Sequence, residues 1–288
     1  MCLECKKENN GQIDRRTFLA GAGAAVIGFA GGENATGQQI SKKALDDPKI
    51  SYRSITFKNG RENIAGFLAQ PKAAGRYRAV IVTHGNAALP EDVRNTAAQL
   101  AQAGFIALAV DPTSRYPDMS KFPREILKTN EFGVVMMQDI QAGIEYLNTL
   151  SFVKAGGIGL VGFCGGGIIA ILMSALVRRI DATVAFYAAP FVNPENNTLS
   201  DPRPHMLSFV QWVKAPIQAH FGTNDDYIPT ADAKLFEREV AAHNQPGEVY
   251  FYEGAAHGFA NYTNDTYLPA TSVLAENRML KFFKKHLK

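Results

Sequence analysis

Cysteine is scarce in this chain: three residues among 288, at positions 2, 5 and 164. So few cannot form the disulfide framework by which small secreted domains make up for a thin core. Clustered positive charge is scarce too. Thirty Lys and Arg against 27 Asp and Glu leave a formal charge of +3, and the one dense basic run is KKHLK at the C-terminus. That leaves no electrostatic footprint for nucleic acid. The apolar run over residues 18–30 is 13 residues long, short of the roughly 20 that a stable membrane-spanning helix needs. No set of His, Cys, Asp and Glu has metal-ligand spacing, and Cys2-x-x-Cys5 lacks the second pair that would complete a four-ligand site. Neither a metal nor a cofactor is expected. What is present is the composition of an ordinary globular protein, 46% hydrophobic and 20% charged, on a chain long enough to bury a substantial core.

Residues 1–35 read as an address and not as fold. In DRRTFLAGAGAAVIGFAGG a paired Arg15-Arg16 precedes the apolar run, whose length is that of a signal-peptide core. The segment resembles a twin-arginine export signal, with Arg15, Arg16, Thr17, Phe18 and Leu19 in register. It departs from that pattern at Asp14 and Ala20, and no clean Ala-x-Ala cleavage site follows. The expectation is export, to the periplasm of a bacterium, through the twin-arginine machinery. An uncleaved amphipathic tail is the other reading. Residues 36–49 are then a linker and residues 50–288 the folded domain.

Within 50–288 the pattern alternates. SITFKNG and NIAGFLAQP predict a two-stranded hairpin. RAVIVTHG, FIALAVDP, GIGLVGFC, ATVAFYAAP, PIQAHFGTND and EVYFYEG are strand-like, and most are apolar throughout. Between and after them, EDVRNTAAQLAQAG, EFGVVMMQDIQAGIEYLNTL, GGGIIAILMSALV, TADAKLFEREVAAH and ATSVLAENRMLKFFKKHL have helical spacing. This alternation predicts an α/β fold, a mostly parallel sheet with helices on both faces, whose ligands bind beyond the C-terminal ends of the strands. The Asn- and Pro-rich stretch over residues 191–208 is a long loop, read as a partial lid or a surface excursion.

Three strand ends carry chemistry. GLVGFCGGGIIA places Cys164 between Gly162 and Gly166, the G-x-C-x-G arrangement of a strained strand-to-helix turn that lifts a nucleophile above the sheet. The N-terminus of the following helix favours a thiolate. Alone, the motif fits a small buried cysteine as readily. FGTNDDYIP, however, leaves its strand presenting Asp225 and Asp226, and YEGAAHGFAN leaves its strand into a loop holding His257. Nucleophile, acid and histidine in that order fit Cys164 as thiolate, Asp225 as orienter and His257 as base. His84 ends the strand RAVIVTH, where it can line the site or serve as a structural hydrogen-bonding residue. His220 lies inside its strand as a satisfied core residue.

On these residues the chain resembles the dienelactone hydrolases of the α/β-hydrolase superfamily, over nearly all of 50–288. GFCGGG resembles that family's nucleophile motif, FGTNDDYIP its acid loop and YEGAAHGF its histidine loop. QDIQAGIEYLN is similar to the helix before the elbow. The resemblance implies hydrolysis of a small ester or lactone through an acyl-thioester, as in carboxymethylenebutenolidases, with Gly165 and the loop at Asn86 as oxyanion donors. DPTSR implies a carboxylate-binding role for Arg115. Two positions depart from it: Gly85 stands where a glutamate is found, and Asn261 where a second carboxylate-binding arginine is found. The fold and the hydrolytic chemistry therefore carry over more safely than the substrate. A general carboxylesterase or thioesterase acting on neutral substrates, and a catalytically dead binding protein on the same scaffold, are the rival readings.

Overall fold

The computed structural model describes residues 43–85, 88–111, 113–116, 130–188, 207–243 and 246–288. The export segment 1–35, Asn86 and residues 191–206 of the expected lid lie outside these. Within the expected linker, a short 3-10 turn over Ala44–Asp46 buries Ala44 against the domain.

The expected hairpin is β1 (Ile50–Asn59) and β2 (Glu62–Pro71), paired antiparallel. Then β3 (Ala79–His84), β4 (Ile106–Val110), β5 (Ile158–Phe163), β6 (Ile180–Phe186), β7 (Ile217–Gly222) and β8 (Glu248–Tyr252) run parallel to one another. The order across the single eight-stranded sheet is β1-β2-β4-β3-β5-β6-β7-β8. Every residue of β3, β4 and β7 is buried, which is why β3 and β4 read as largely apolar runs; β7 instead buries the polar Gln218 and His220 among its apolar residues.

The helices are α1 (Glu91–Gln102), α2 (Asn130–Thr149), α3 (Gly165–Leu176), a short α4 (Leu207–Val210), α5 (Thr230–His243) and α6 (Pro269–His286). On one face α1 meets α6, where Gln99 donates to Glu276 at 2.9 Å. On the other, α2 packs on α3, and α3 and α5 both meet α4. Among the described residues no helix is long and apolar enough to cross a membrane.

Two histidines are sealed into this sheet. His220 on β7 sits in a directed chain: Arg278 donates to Tyr252 Oη at 3.1 Å, and Tyr252 donates to His220 Nδ1 at 2.8 Å. His220 Nε2–H in turn donates to Gln218 Oε1 at 3.0 Å, and Gln218 donates to Glu248 at 2.8 Å. The tautomer follows from these partners. Burial, assisted by the nearby Arg278 charge, lowers the His220 pKa to about 3. Burial likewise lowers His84 to about 4, against the opposing hydrogen bond to the Ala88 backbone.

Both rings stay neutral in the folded state, whereas the unfolded chain protonates them near the ordinary value of 6.5. The unfolded state therefore binds more protons below that pH, and stability is lost as pH falls from 6.5 towards 4 and then 3. We expect urea-unfolding free energy to drop between pH 6.5 and 5, where ordinary carboxylates barely titrate. A His220→Gln variant should show a shallower drop over that interval, and an unchanged slope would refute the assignment.

Candidate active site

At the end of β5 the chain turns sharply. Cys164 has φ 55° and ψ −125° and is the residue before the first turn of α3, a conformation that costs a non-glycine residue on the order of 1–3 kcal/mol. The surroundings enforce it. Cys164 N–H donates to Phe186 O at 3.0 Å, and Gly167 N–H donates to Cys164 O at 2.9 Å. A Cβ on Gly162 would lie 2.2 Å from Gly166 O, and one on Gly166 would lie 2.4 Å from His84 Cα. Both positions are closed to any side chain, because backbone occupies the space a methyl group would need. The thiol thus emerges at the N-terminus of α3, beside the Gly165 amide.

The acid and the histidine arrive on neighbouring loops. Asp225, three residues past β7, is buried; its Oδ1 accepts the N–H groups of Tyr227 at 2.8 Å and Ile228 at 3.0 Å. Its Oδ2 is left to accept His257 Nδ1–H at 2.9 Å. The loop carrying His257 is clamped: Thr266 Oγ1 donates to His257 O at 2.8 Å, and Leu268 N–H donates to Phe259 O at 3.0 Å. Leu268 is the N-cap of α6, so His257 is tied to the start of the last helix.

Electrostatics follow from this geometry. Burial is the strongest single influence on His257 and disfavours its charged form. The hydrogen bond to Asp225 and the neighbouring Cys164 sulfur outweigh it and raise the pKa to about 9. An imidazolium that donates to a carboxylate on one side and has a thiol near it can stabilise a thiolate or return a proton to a leaving group.

Cys164 and His257 line a cavity of about 440 Å³, with Asp225 buried behind the imidazole. His84 and Asn261, both singled out in the sequence, also line it. Arg115 does not. Its guanidinium is committed to Asp139, Nη2 to Oδ1 at 2.6 Å and Nε to Oδ2 at 3.2 Å. Asn59 shares the same carboxylate at 2.7 Å, and the pairing raises the Arg115 pKa against the effect of burial. Gly85 lines the cavity as well; a Cβ there would meet Gly165 N at 2.8 Å and Gly165 Cα at 2.9 Å. No side chain fits at that position with the backbone as it stands. Among the described residues, no group of three or more His, Cys, Asp and Glu could hold a metal ion.

Three cavity residues escape sequence reasoning. Tyr187 follows β6 directly, has φ 33°, and sets its ring 5.1 Å from the His257 imidazole, edge to face. Tyr227 sets its ring 4.9 Å from the same imidazole and is 65% exposed at the cavity mouth. Asp92 lies in the first turn of α1 and contributes a carboxylate to the cavity. The strand-end rule that found Cys164 would have found Tyr187, which closes ATVAFY in the same way. Nothing local marks Asp92, because an acid in a first helical turn is also the commonest way to satisfy a helix N-terminus.

A family model described as the dienelactone hydrolase family matches residues 64–287. A Bradyrhizobium protein named "Probable 2-oxo-3-(5-oxofuran-2-ylidene)propanoate lactonase" is 31% identical over 232 residues, covering 80% of this chain and 92% of that one. The carboxymethylenebutenolidase of Pseudomonas putida is 26% identical over 199 residues, covering 66% and 78% respectively. Among solved structures, "Putative Dienelactone Hydrolase" from Klebsiella pneumoniae superposes with a TM-score of 0.73 at 23% identity, covering 82% of this chain and 99% of that one. This last likeness bears on the fold alone.

The strain at Cys164 has a measurable signature. At an ordinary position Cys→Gly is less stable than Cys→Ala, since glycine gains more freedom on unfolding. Here the order should invert, with Cys164→Gly more stable than Cys164→Ala by about 1 kcal/mol. Chemical denaturation of the two variants, both lacking the thiol, checks it.

Proposed function

The chain belongs to the dienelactone hydrolase family, and on that premise we propose that it hydrolyses a carboxylic ester or lactone with Cys164 as nucleophile. The observation carrying this reading is the Asp225–His257 hydrogen bond in the same cavity as the Cys164 thiol, which a strained turn holds at the start of a helix.

Asp225 holds Nδ1–H and keeps the ring oriented, so Nε2 is the nitrogen available to sulfur. The thiolate attacks the carbonyl carbon, and the carbonyl electrons move onto oxygen. The Gly165 N–H at the start of α3 is the donor suited to that oxyanion, such a donor being worth about 3 kcal/mol in acyl transfer. The Asn86 loop, expected to supply a second donor, follows directly on His84 and Gly85. His257 then gives its proton to the departing alkoxide, or to the ring oxygen of a lactone, and leaves an acyl-thioester on Cys164. A water deprotonated by His257 attacks the thioester, releasing the acid and restoring the thiol.

The pattern Arg15-Arg16-x-Phe-Leu supports an enzyme exported by the twin-arginine route, with residues 36–49 joining the signal to the domain. Replacing Arg15 and Arg16 together by Lys should retain the protein in the cytoplasm, read by fractionation of the native host.

The nucleophile is tested on activated esters. Cys164→Ala should reduce hydrolysis of p-nitrophenyl acetate by at least 10³-fold while circular dichroism stays native, and wild-type protein should accumulate an acyl adduct at Cys164 detectable by mass. Because the imidazolium persists until His257 titrates, kcat/KM should decline on the alkaline side near pH 9. Full activity in the Ala variant would remove Cys164 from the reaction.

A further inference from the structure

Apart from the His257 imidazolium beside Cys164, the charge of the cavity wall has one sign. Among the described residues lining it, Asp92, Asp226 and Asp265 carry carboxylates, and no Lys or Arg is present. The cation expected there, Arg115, is held by Asp139. Asn261 stands at the other position where the resemblance implied an arginine, and Asn261 Oδ1 is used within its own loop, accepting from Thr263 N–H at 2.8 Å and Thr263 Oγ1 at 2.7 Å.

The three acids differ in setting. Asp226 and Asp265 are exposed at the rim, where water screens them. Asp92 is not: its Oδ1 is fully buried and accepts no hydrogen bond among the described residues. Its neighbour Glu91 shows the contrast, being paired with Lys43 and accepting from Tyr262 Oη at 2.9 Å. Burial pushes the Asp92 carboxyl above its ordinary range, more than the backbone N–H groups of Val93 and Asp92 itself bring it down. A buried carboxylate oxygen without a partner is costly, and because Asp92 also lines the cavity, a positive charge held there stabilises the carboxylate through space, without contact at Oδ1.

We propose that this cavity selects esters or lactones bearing a cationic group against those bearing a carboxylate, with Asp92 as the discriminating residue. The inference rests on the hydrolase reading of the same site. A substrate ammonium placed near Asp92 gains a partner that is poorly hydrated; a substrate carboxylate in the same place meets like charge in a space where screening is weak. The named substrate of the Bradyrhizobium relative is a propanoate, so the two proteins would differ in substrate charge while sharing a fold.

The test uses three p-nitrophenyl esters of similar length on the full-length protein: the pentanoate, the 4-(trimethylammonio)butyrate and the monoester of glutarate. At low ionic strength kcat/KM for the cationic ester should exceed that for the anionic ester by at least tenfold, with the pentanoate between them. Asp92→Asn should shrink the cationic-to-anionic ratio at least fivefold, whereas Asp226→Asn at the screened rim should change it less than twofold. An anionic ester hydrolysed as well as the cationic one overturns the proposal, and an unchanged ratio in folded Asp92→Asn removes Asp92 from it. The amides of the same three acids give the order without turnover, through their protection of Cys164 from iodoacetamide. Protection by the cationic amide with no ester hydrolysed would sink the hydrolase reading and leave the charge preference standing; stronger protection by the anionic amide would sink the preference itself.

Discussion

At the β5–α3 turn, backbone lies against backbone with no space for a single methyl group. Gly162 faces Gly166, Gly166 faces His84, and Gly85 faces Gly165. Three chain segments are thereby locked at one point, and the Cys164 side chain leaves from that junction. Its unfavourable φ is over-determined by the packing around it, which is how a fold sustains local strain. The remaining site residues are placed relative to this point: the Asp225 and His257 loops follow strands whose parallel register with β5, through β6, sets how far along the sheet edge they emerge.

Two polar assemblies illustrate how burial and partnership decide the behaviour of a histidine. In the core, His220 is bracketed by a hydroxyl and an amide, receives no negative charge, and is held neutral. At the site, His257 faces a carboxylate and a thiol and is held cationic despite being mostly buried. Burial disfavours the charged form of both. What differs is whether a negative charge is within hydrogen-bond reach.

Much of this was readable from the residues. Continuous apolar strands, glycine-flanked Cys164, and Asp225 and His257 at later strand ends all followed from period, turn chemistry and order along the chain. Those signals are local, so they survive without three-dimensional information. The fate of Arg115 was not readable, because its partner Asp139 lies on α2, 24 residues on, and the competition between a substrate and an internal carboxylate is settled only by the packing of β4 against that helix. Asp92 escapes a reading of the residues for the opposite reason: a helix-start acid has an ordinary explanation, and what sets this one apart is that one of its oxygens accepts no hydrogen bond among the described residues. Gly85 reads as a missing glutamate in the sequence, yet in the fold it is a steric requirement of the elbow.

The clamp between the His257 loop and the start of α6 gives the chain's last helix a part in function that its distance in sequence conceals. Phe259 and Leu268 share a backbone hydrogen bond, and Thr266 holds the His257 carbonyl. Peeling α6 away from β6 and β7 would release that loop, so the docking of the final helix and the placement of His257 form one cooperative unit. Activity would then report the attachment of the C-terminus, vanishing in a partially opened molecule whose central sheet is still intact.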